Sequence, residues 1–289
     1  MKIVVLGGSG FIGSHVADEL SKAGHNVTVF DKKKSKWLRS DQKMILGDIF
    51  NYYTLEKAIK GNQIVYNFAA LSDLEKSLDA PLKTAKVNIL GTVQALNISY
   101  KHKVKRFVHA SSIYSLSDQG GFYSCSKRAS EDYIVEFNRR YKLSYTILRF
   151  GSVYGERADK SNGIRKILDK AIFKKKIVYT GNKKTVRRYI NVLDAAKASV
   201  RILENKYRDK FIILTGNNST KIRQLLDFIS KYLNIKTKII FKNIKNYGGH
   251  YIKRPTPYKP KKGRRLLFKS QKDFNEGLIN LIKQMRKKK

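Results

Sequence analysis

The chain opens on an apolar run, Ile3-Val4-Val5-Leu6, that breaks at once into Gly7-Gly8-Ser9-Gly10-Phe11-Ile12-Gly13. A β-branched run that ends in a glycine turn and continues into a helical stretch begins a βαβ unit. Parallel strands joined in this way need both faces of their sheet covered. The sequence keeps the alternation. Strands are expected at 2–6, 26–30, 43–46, 63–68, 105–110, 144–150 and 211–214. Helices are expected at 11–23, 54–60, 82–101, 123–141, 163–174, 192–204 and 220–233. With right-handed crossovers the fold class is α/β, a doubly wound parallel sheet. After residue 150, Gly, Asn and Lys interrupt the pattern. Residues 1–150 therefore read as one domain and 151–289 as a smaller, partly irregular region, with 189–214 returning to the first.

Hydrophobic residues make up 42% of the 289, enough for a sizeable core. No apolar run reaches the roughly 18 residues that would cross a bilayer. One cysteine, Cys125, fits a reducing compartment and a cytoplasmic protein, and is expected to pack as a small residue. The net charge of +39 admits two readings. One is a nucleic acid or an anionic membrane surface, since clustered basic groups gain by releasing phosphate counterions. The other, which the even spread of Lys and Arg favours, is a solvated basic surface. Denser stretches lie at 32–43, 236–265 and 283–289, and 252–265 reads as a basic loop holding three of the four prolines.

Gly7, Gly10 and Gly13 stand where a Rossmann dinucleotide turn needs glycine: a tight turn, a backbone approach to pyrophosphate, and close helix–strand packing. Val27-Thr28-Val29-Phe30-Asp31 then supplies a second strand ending in a carboxylate. Asp31 would accept hydrogen bonds from the adenosine ribose and repel a 2′-phosphate, so NAD is expected over NADP, although Lys32, Lys33 and Lys34 soften that repulsion. Gly47-Asp48-Ile49 puts a carboxylate at the adenine, and Asn67-Phe68-Ala69-Ala70 ends a strand with residues small enough for a cofactor to lie against backbone.

Tyr123 and Lys127 are four apart and share a helix face. An ammonium beside a phenol lowers its pKa from about 10 and makes it a base for an alcohol proton. Ser111 and Ser112 end the strand Phe107-Val108-His109-Ala110, where strand ends line the ligand crevice of such a sheet. His15 and His25 read as structural, and His102, His109 and His250 show no ligand spacing, so no metal is expected.

Together these residues resemble the extended short-chain dehydrogenase/reductase family in its sugar-nucleotide epimerase/dehydratase branch. The matching segments are GGSGFIGSH (7–15), Asp31, GDI (47–49), NFAA (67–70), Asn88-x-x-Gly91-Thr92, ASS-x-Tyr (110–114), YSCSK (123–127), Leu148-Arg149-Phe150, VYGER (153–157) and Arg187-Arg188-Tyr189-Ile190-Asn191-Val192-x-Asp194. The resemblance implies a catalytic set of Tyr123, Lys127, Ser112 and Ser111. It implies NAD contacts at Gly7, Gly10, Phe11, Ile12, Gly13, Asp31, Asp48, Ile49, Asn67, Ala69, Ala70 and Asn88, with Tyr123 and Lys127. Substrate contacts fall to Ser112, Tyr123 and Arg187, the last on a diphosphate. Residues 151–289 become the substrate-binding region, and helices 82–101 and 123–141 would pair in a homodimer.

Two departures shape the expected activity. Asn67 stands where the family usually has His, and only ten residues separate Ser112 from Tyr123, a shortened loop. Ile113 and Tyr114 stand where related 4,6-dehydratases carry acids, and the Glu of nucleotide-sugar decarboxylases is absent. The expectation is an NAD-dependent epimerase of a nucleoside-diphosphate sugar, at C4 through a transient 4-keto sugar. A sugar-nucleotide reductase/dehydrogenase or 4,6-dehydratase is the alternative. From another class, a nucleotide-sensing or nucleic-acid-binding protein on a dehydrogenase fold is carried by the charge alone.

Overall fold

Successive side chains of the first strand enter opposite apolar layers, Ile3 and Val5 one, Val4 and Leu6 the other. The computed structural model describes residues 1–117, 119–236, 239–242, 264–265 and 273–287. Its strands are β1 (Lys2–Leu6), β2 (Asn26–Asp31), β3 (Lys43–Leu46), β4 (Ile64–Asn67), β5 (Arg106–Ser112), β6 (Tyr145–Phe150), β7 (Ser152–Tyr154), β8 (Val178–Thr180), β9 (Val186–Arg187), β10 (Tyr189–Asn191), β11 (Lys210–Leu214), β12 (Thr220–Lys221), β13 (Ile240–Lys242) and β14 (Arg264–Arg265). Its helices are α1 (Phe11–Lys22), α2 (Tyr52–Ile59), α3 (Leu74–Asp79), α4 (Pro81–Ala85), α5 (Gly91–Lys101), α6 (Gly121–Tyr141), α7 (Gly163–Lys174), α8 (Val192–Arg201), α9 (Ile222–Tyr232) and α10 (Phe274–Lys287).

The main sheet runs β3-β2-β1-β4-β5-β6-β11, with the short β14 at its edge, and every pairing in it is parallel. Strand order reverses between β1 and β4, the position at which a doubly wound sheet opens a crevice at its carboxyl ends. This is the expected Rossmann architecture. The expected helix 82–101 is in fact α4, a π-turn over Lys86–Leu90, and α5, with Pro81 at the start of α4 where its missing N–H costs nothing.

Beyond β6, the chain is more regular than its composition suggested. A third apolar core gathers Ile164, Ile167 and Leu168 of α7, Leu225, Leu226 and Ile229 of α9, and Leu278, Leu281, Ile282 and Met285 of α10. The pairs β7–β10, β8–β13 and β9–β12 form separate two-stranded sheets. Residues of α8 and β11 lie in the core under the main sheet, with α8 against α1. Arg157 ties the two regions: its guanidinium bonds Asp18 of α1 at 2.7 Å and lies 4.8 Å from the Trp37 ring centre. Beside it His15 Nε2 donates to the Glu156 carbonyl at 3.1 Å, and burial, then Arg157, hold its pKa low. His250 and the basic stretch 252–265, apart from Arg264–Arg265, lie outside the described residues. No described helix is long and apolar enough to cross a membrane.

Candidate active site

At the sheet's switch point, Gly7 leaves β1 with φ +75°, a conformation open to glycine and rare for L side chains. Its N–H donates to the Phe30 carbonyl at 2.8 Å, which turns the chain sharply over β2. A Cβ on Gly7 would lie 2.6 Å from the Ala69 amide nitrogen, and one on Gly13 would lie 2.4 Å from the Gly7 carbonyl oxygen. Absent side chains therefore let the first turn of α1 close onto the end of β1. Gly7, Gly10, Phe11, Ile12 and Gly13 line one wall of a cavity of about 1050 Å³. A bare backbone wall at a helix N-terminus suits a pyrophosphate.

Asp31 is fixed at the end of β2 by the amides of Ser9 and Lys33, each 3.1 Å from a carboxylate oxygen. Asp48 accepts from the Phe50 amide at 2.9 Å. Both carboxylates, with Ile49, Ala69 and Ala70, line the same cavity. This set fits a dinucleotide: acceptors for the adenosine end, small residues beside the pyrophosphate.

Asn67 and Asn88 do not line it. Asn67 is buried, donates to Thr92 Oγ1 at 3.1 Å, and accepts from the Ala69 amide at 3.2 Å. Asn88 accepts from the Leu71 amide at 2.7 Å and donates to the Leu71 carbonyl and to Ser126 Oγ. The geometry makes both of them braces for the loop that carries Ala69 and Ala70.

Across the cavity, β5 and α6 bring Ser112, Tyr123 and Lys127 together. Ser112 Oγ accepts from the Tyr114 amide at 3.2 Å, which leaves its own proton for the Tyr123 phenol. Burial pushes Tyr123 up to about 12, against the lowering effect of that Ser112 bond. Lys127 is pushed down to about 8 by burial, with the Glu131 carboxylate pulling the other way. Its Nζ donates to the Ala110 carbonyl at 2.8 Å and lies 5.8 Å from the centre of the Tyr123 ring. The spacing of the two residues suggested a phenol already acidified by its neighbour; in the protein alone, desolvation wins. Ser111 lines the cavity too, but its hydroxyl donates to Glu131 behind the wall. Neighbouring residues of an extended strand project to opposite sides, so only one of the two serines meets Tyr123. Cys125, expected to pack, is exposed.

The far end of the cavity is built by the later segments. Arg187, on β9, is buried, lines the cavity and donates to the Val186 carbonyl at 3.1 Å. Lys160, Asn162, Lys166, Lys170 and Tyr179 line it as well, and none was singled out from the sequence. The signal available was the helical register of α7, which puts Lys166 and Lys170 on one face. Lys166 pairs with Glu75 of α3 at 3.0 Å, a contact across the cleft mouth that no local spacing foretells.

The model of the NAD dependent epimerase/dehydratase family matches residues 3–213. A "Putative UDP-glucose 4-epimerase" of Methanocaldococcus jannaschii is 26% identical over 305 residues, covering 98% of each chain. A UDP-N-acetyl-alpha-D-glucosaminuronate decarboxylase of Bacillus cytotoxicus is 24% identical over 313 residues, covering 99% of this chain and 98% of its own. In fold, the chain is similar to the crystal structure of the UDP-glucose 4-epimerase of Thermotoga maritima with UDP-glucose. The TM-score is 0.86 at 24% identity, covering 100% of this chain and 99% of that one. With a glycine cradle, two placed carboxylates and a Ser-Tyr-Lys cluster in one cleft, the chain belongs to the NAD-dependent epimerase/dehydratase family of enzymes, whose cofactor is NAD.

Proposed function

We propose that the protein is a C4 epimerase of a nucleoside-diphosphate sugar, working through a transient 4-keto sugar. One observation carries the reading: Ser112, Tyr123 and Lys127 face the same cavity as the glycine cradle at one end and Arg187 at the other. Bound NAD supplies a reversible hydride acceptor and a positive charge beside the phenol. Gly7, Gly10, Phe11, Ile12 and Gly13 would hold its pyrophosphate, Asp31 and Asp48 its adenosine, with Ile49, Ala69 and Ala70 alongside and Lys127 at the nicotinamide ribose. Tyr123 accepts the C4 hydroxyl proton and later returns it. Ser112 donates to the reacting oxygen and holds it within reach of the phenol. Arg187 pairs with the substrate diphosphate through its guanidinium fork.

Epimerisation needs the keto sugar to turn over in place, and the short segment between Ser112 and Tyr123, beside a cavity of about 1050 Å³ shared by cofactor and sugar, is in keeping with that. Elimination would need a second acid–base pair at the sugar. Ile113 is instead buried in an apolar cluster with Tyr114 and Ile213. Of the acids at the cavity's far end, Glu75 pairs with Lys166, Asp169 with Arg165, and Asp159 accepts from Ser161.

The same reading divides the chain into an NAD-binding part, 1–150 with 189–214, and a substrate-binding region, 151–289. It includes a homodimer. Leu82 and Leu90 on the α4–α5 segment and Tyr133 on α6 are exposed at 82%, 59% and 48%, an apolar face suited to a second copy. The single thiol is in keeping with a cytoplasmic enzyme.

The test is incubation of the purified protein with a panel of UDP- and dTDP-sugars, followed by chromatography of the nucleotide sugars and absorbance of reduced nicotinamide. The expected result is interconversion of a C4-epimeric pair without accumulation of reduced cofactor. Net reduction would favour a dehydrogenase, and a product lighter by one water a dehydratase.

A further inference from the structure

Along α6, Tyr123, Lys127 and Glu131 follow at intervals of four and share a face. Glu131 is buried at 4% exposure and lies behind the cavity wall. Its carboxylate accepts from three other segments. Ser111, at the end of β5, donates to Oε1 at 2.5 Å, and Arg149 of β6 grips both oxygens, Nε to Oε1 at 2.9 Å and a terminal nitrogen to Oε2 at 2.6 Å. Ser115, in the turn after β5, lies 2.8 Å from Oε1 and 2.8 Å from the Ser112 carbonyl oxygen. Arg149 and Ser111 are already register partners between β5 and β6. One carboxylate thus fastens the helix bearing the phenol and the amine to the strand and turn bearing Ser112.

We propose that Glu131 is the positioning residue of the reaction centre, holding Ser112 against Tyr123 by clamping both flanks of Ser112, one helical turn from the buried Lys127 amine. The role rests on the reading of Tyr123 and Lys127 as the reacting pair. A buried ion pair is a costly way to hold a fold together, since desolvation consumes most of its Coulomb gain. A second use explains its place here. Lys127 sits among an aromatic ring, the neutral His109 imidazole, whose pKa burial lowers well below its ordinary value, and the Ala110 carbonyl. Glu131 is the negative charge that opposes the desolvation of Lys127, and it also pairs with Arg149.

Glu131→Gln removes the charge, Glu131→Asp keeps it but shortens the reach, and Ser115→Ala removes one clamp outside the cavity. Competitive acetylation of the whole protein over the neutral to alkaline range, with the Lys127 peptide read by mass spectrometry, follows the amine without any substrate. The account predicts that Lys127 loses its proton at lower pH in Glu131→Gln and is more reactive than in the parent at neutral pH. In Glu131→Asp and Ser115→Ala the titration stays near the parent's. With UDP-glucose and UDP-N-acetylglucosamine as probes, epimerisation should be slowed about tenfold in Glu131→Asp and severalfold in Ser115→Ala. In Glu131→Gln the alkaline limb of its pH profile should move down. An unmoved Lys127 titration in Glu131→Gln overturns the proposal. If that variant does not fold, parent-like rates in both Glu131→Asp and Ser115→Ala overturn it. A parent protein that interconverts no C4-epimeric pair of sugar nucleotides, while the titration shift is present, contradicts the epimerase reading and leaves Glu131's hold on Lys127 standing.

Discussion

Lys127 directs its ammonium onto the Ala110 carbonyl at 2.8 Å, with its nitrogen 5.8 Å from the centre of the Tyr123 ring. The amine is thereby fixed within reach of both the phenol and the cofactor cleft, at the cost of being buried. Its pKa falls from 10.5 to about 8, so the folded state disfavours the charged form. Below pH 8 the amine is charged in both states and burial destabilises the fold. As pH rises from 8 through 10.5 the unfolded chain binds more protons, and stability rises. Lys127→Met should therefore gain on the parent at neutral pH by on the order of 3 kcal/mol in this pH-dependent part, and the gain should fade above pH 10.5. Urea unfolding of both proteins across that range checks it; a pH-independent difference would be contrary to the account.

Tyr123→Phe removes the proton acceptor and leaves the cavity's shape. Turnover of any sugar nucleotide should drop by about 10²- to 10⁴-fold, with NAD affinity within a few-fold of the parent. The phenol's pKa is raised to about 12, so it contributes stability that is lost as pH climbs from 10 to 12, and the variant should lack that loss. Turnover equal to the parent's would remove Tyr123 from the chemistry.

How much of this was legible from residues alone differs by element. Gly7, Gly13, Asp31 and the Tyr123–Lys127 spacing announced their surroundings because each depends on a local geometry: a left-handed turn, a close helix, a strand end, one helical turn. Asn67 and Asn88 sat in equally recognisable motifs, yet their amides brace a loop, because a motif fixes a position and tertiary contacts fix a direction. Glu131 and Arg149 lie 18 residues apart on a helix and a strand, a distance that no spacing rule spans. The helix α10 was readable in principle: Phe274, Leu278, Leu281, Ile282 and Met285 follow a helical period. The surrounding lysines obscured it.

Gly13→Ala places a methyl where the Gly7 carbonyl oxygen lies 2.4 Å away, and the obstacle is backbone. The first turn of α1 must move off the strand end. NAD binding measured by calorimetry should weaken at least tenfold, with a loss of about 1–3 kcal/mol in stability. Parent-like affinity would mean that the cradle is not the pyrophosphate site.

Asp31→Ala should loosen NAD about tenfold and bring NADP close to it, since the carboxylate that meets the ribose is lost while Lys32 and Lys33 remain. The ratio of the two dissociation constants decides; an unchanged preference for NAD would place the ribose elsewhere.

The +39 charge invites one further check. Binding of a random-sequence oligonucleotide, followed by fluorescence anisotropy over a salt series, should be weak at physiological salt. Tight, steeply salt-dependent binding, beside activity unaffected by Tyr123→Phe, would support the nucleic-acid-binding alternative.

A single isotope experiment probes the proposed chemistry most directly. The protein is incubated in ordinary water with nucleoside-diphosphate hexoses carrying deuterium at C4, and products are read by NMR and mass. The account predicts an inverted C4 that retains its deuterium, because hydrogen leaves and returns within one closed cleft. Deuterium washed out to solvent, or an unchanged C4 beside reduced nicotinamide, would contradict it.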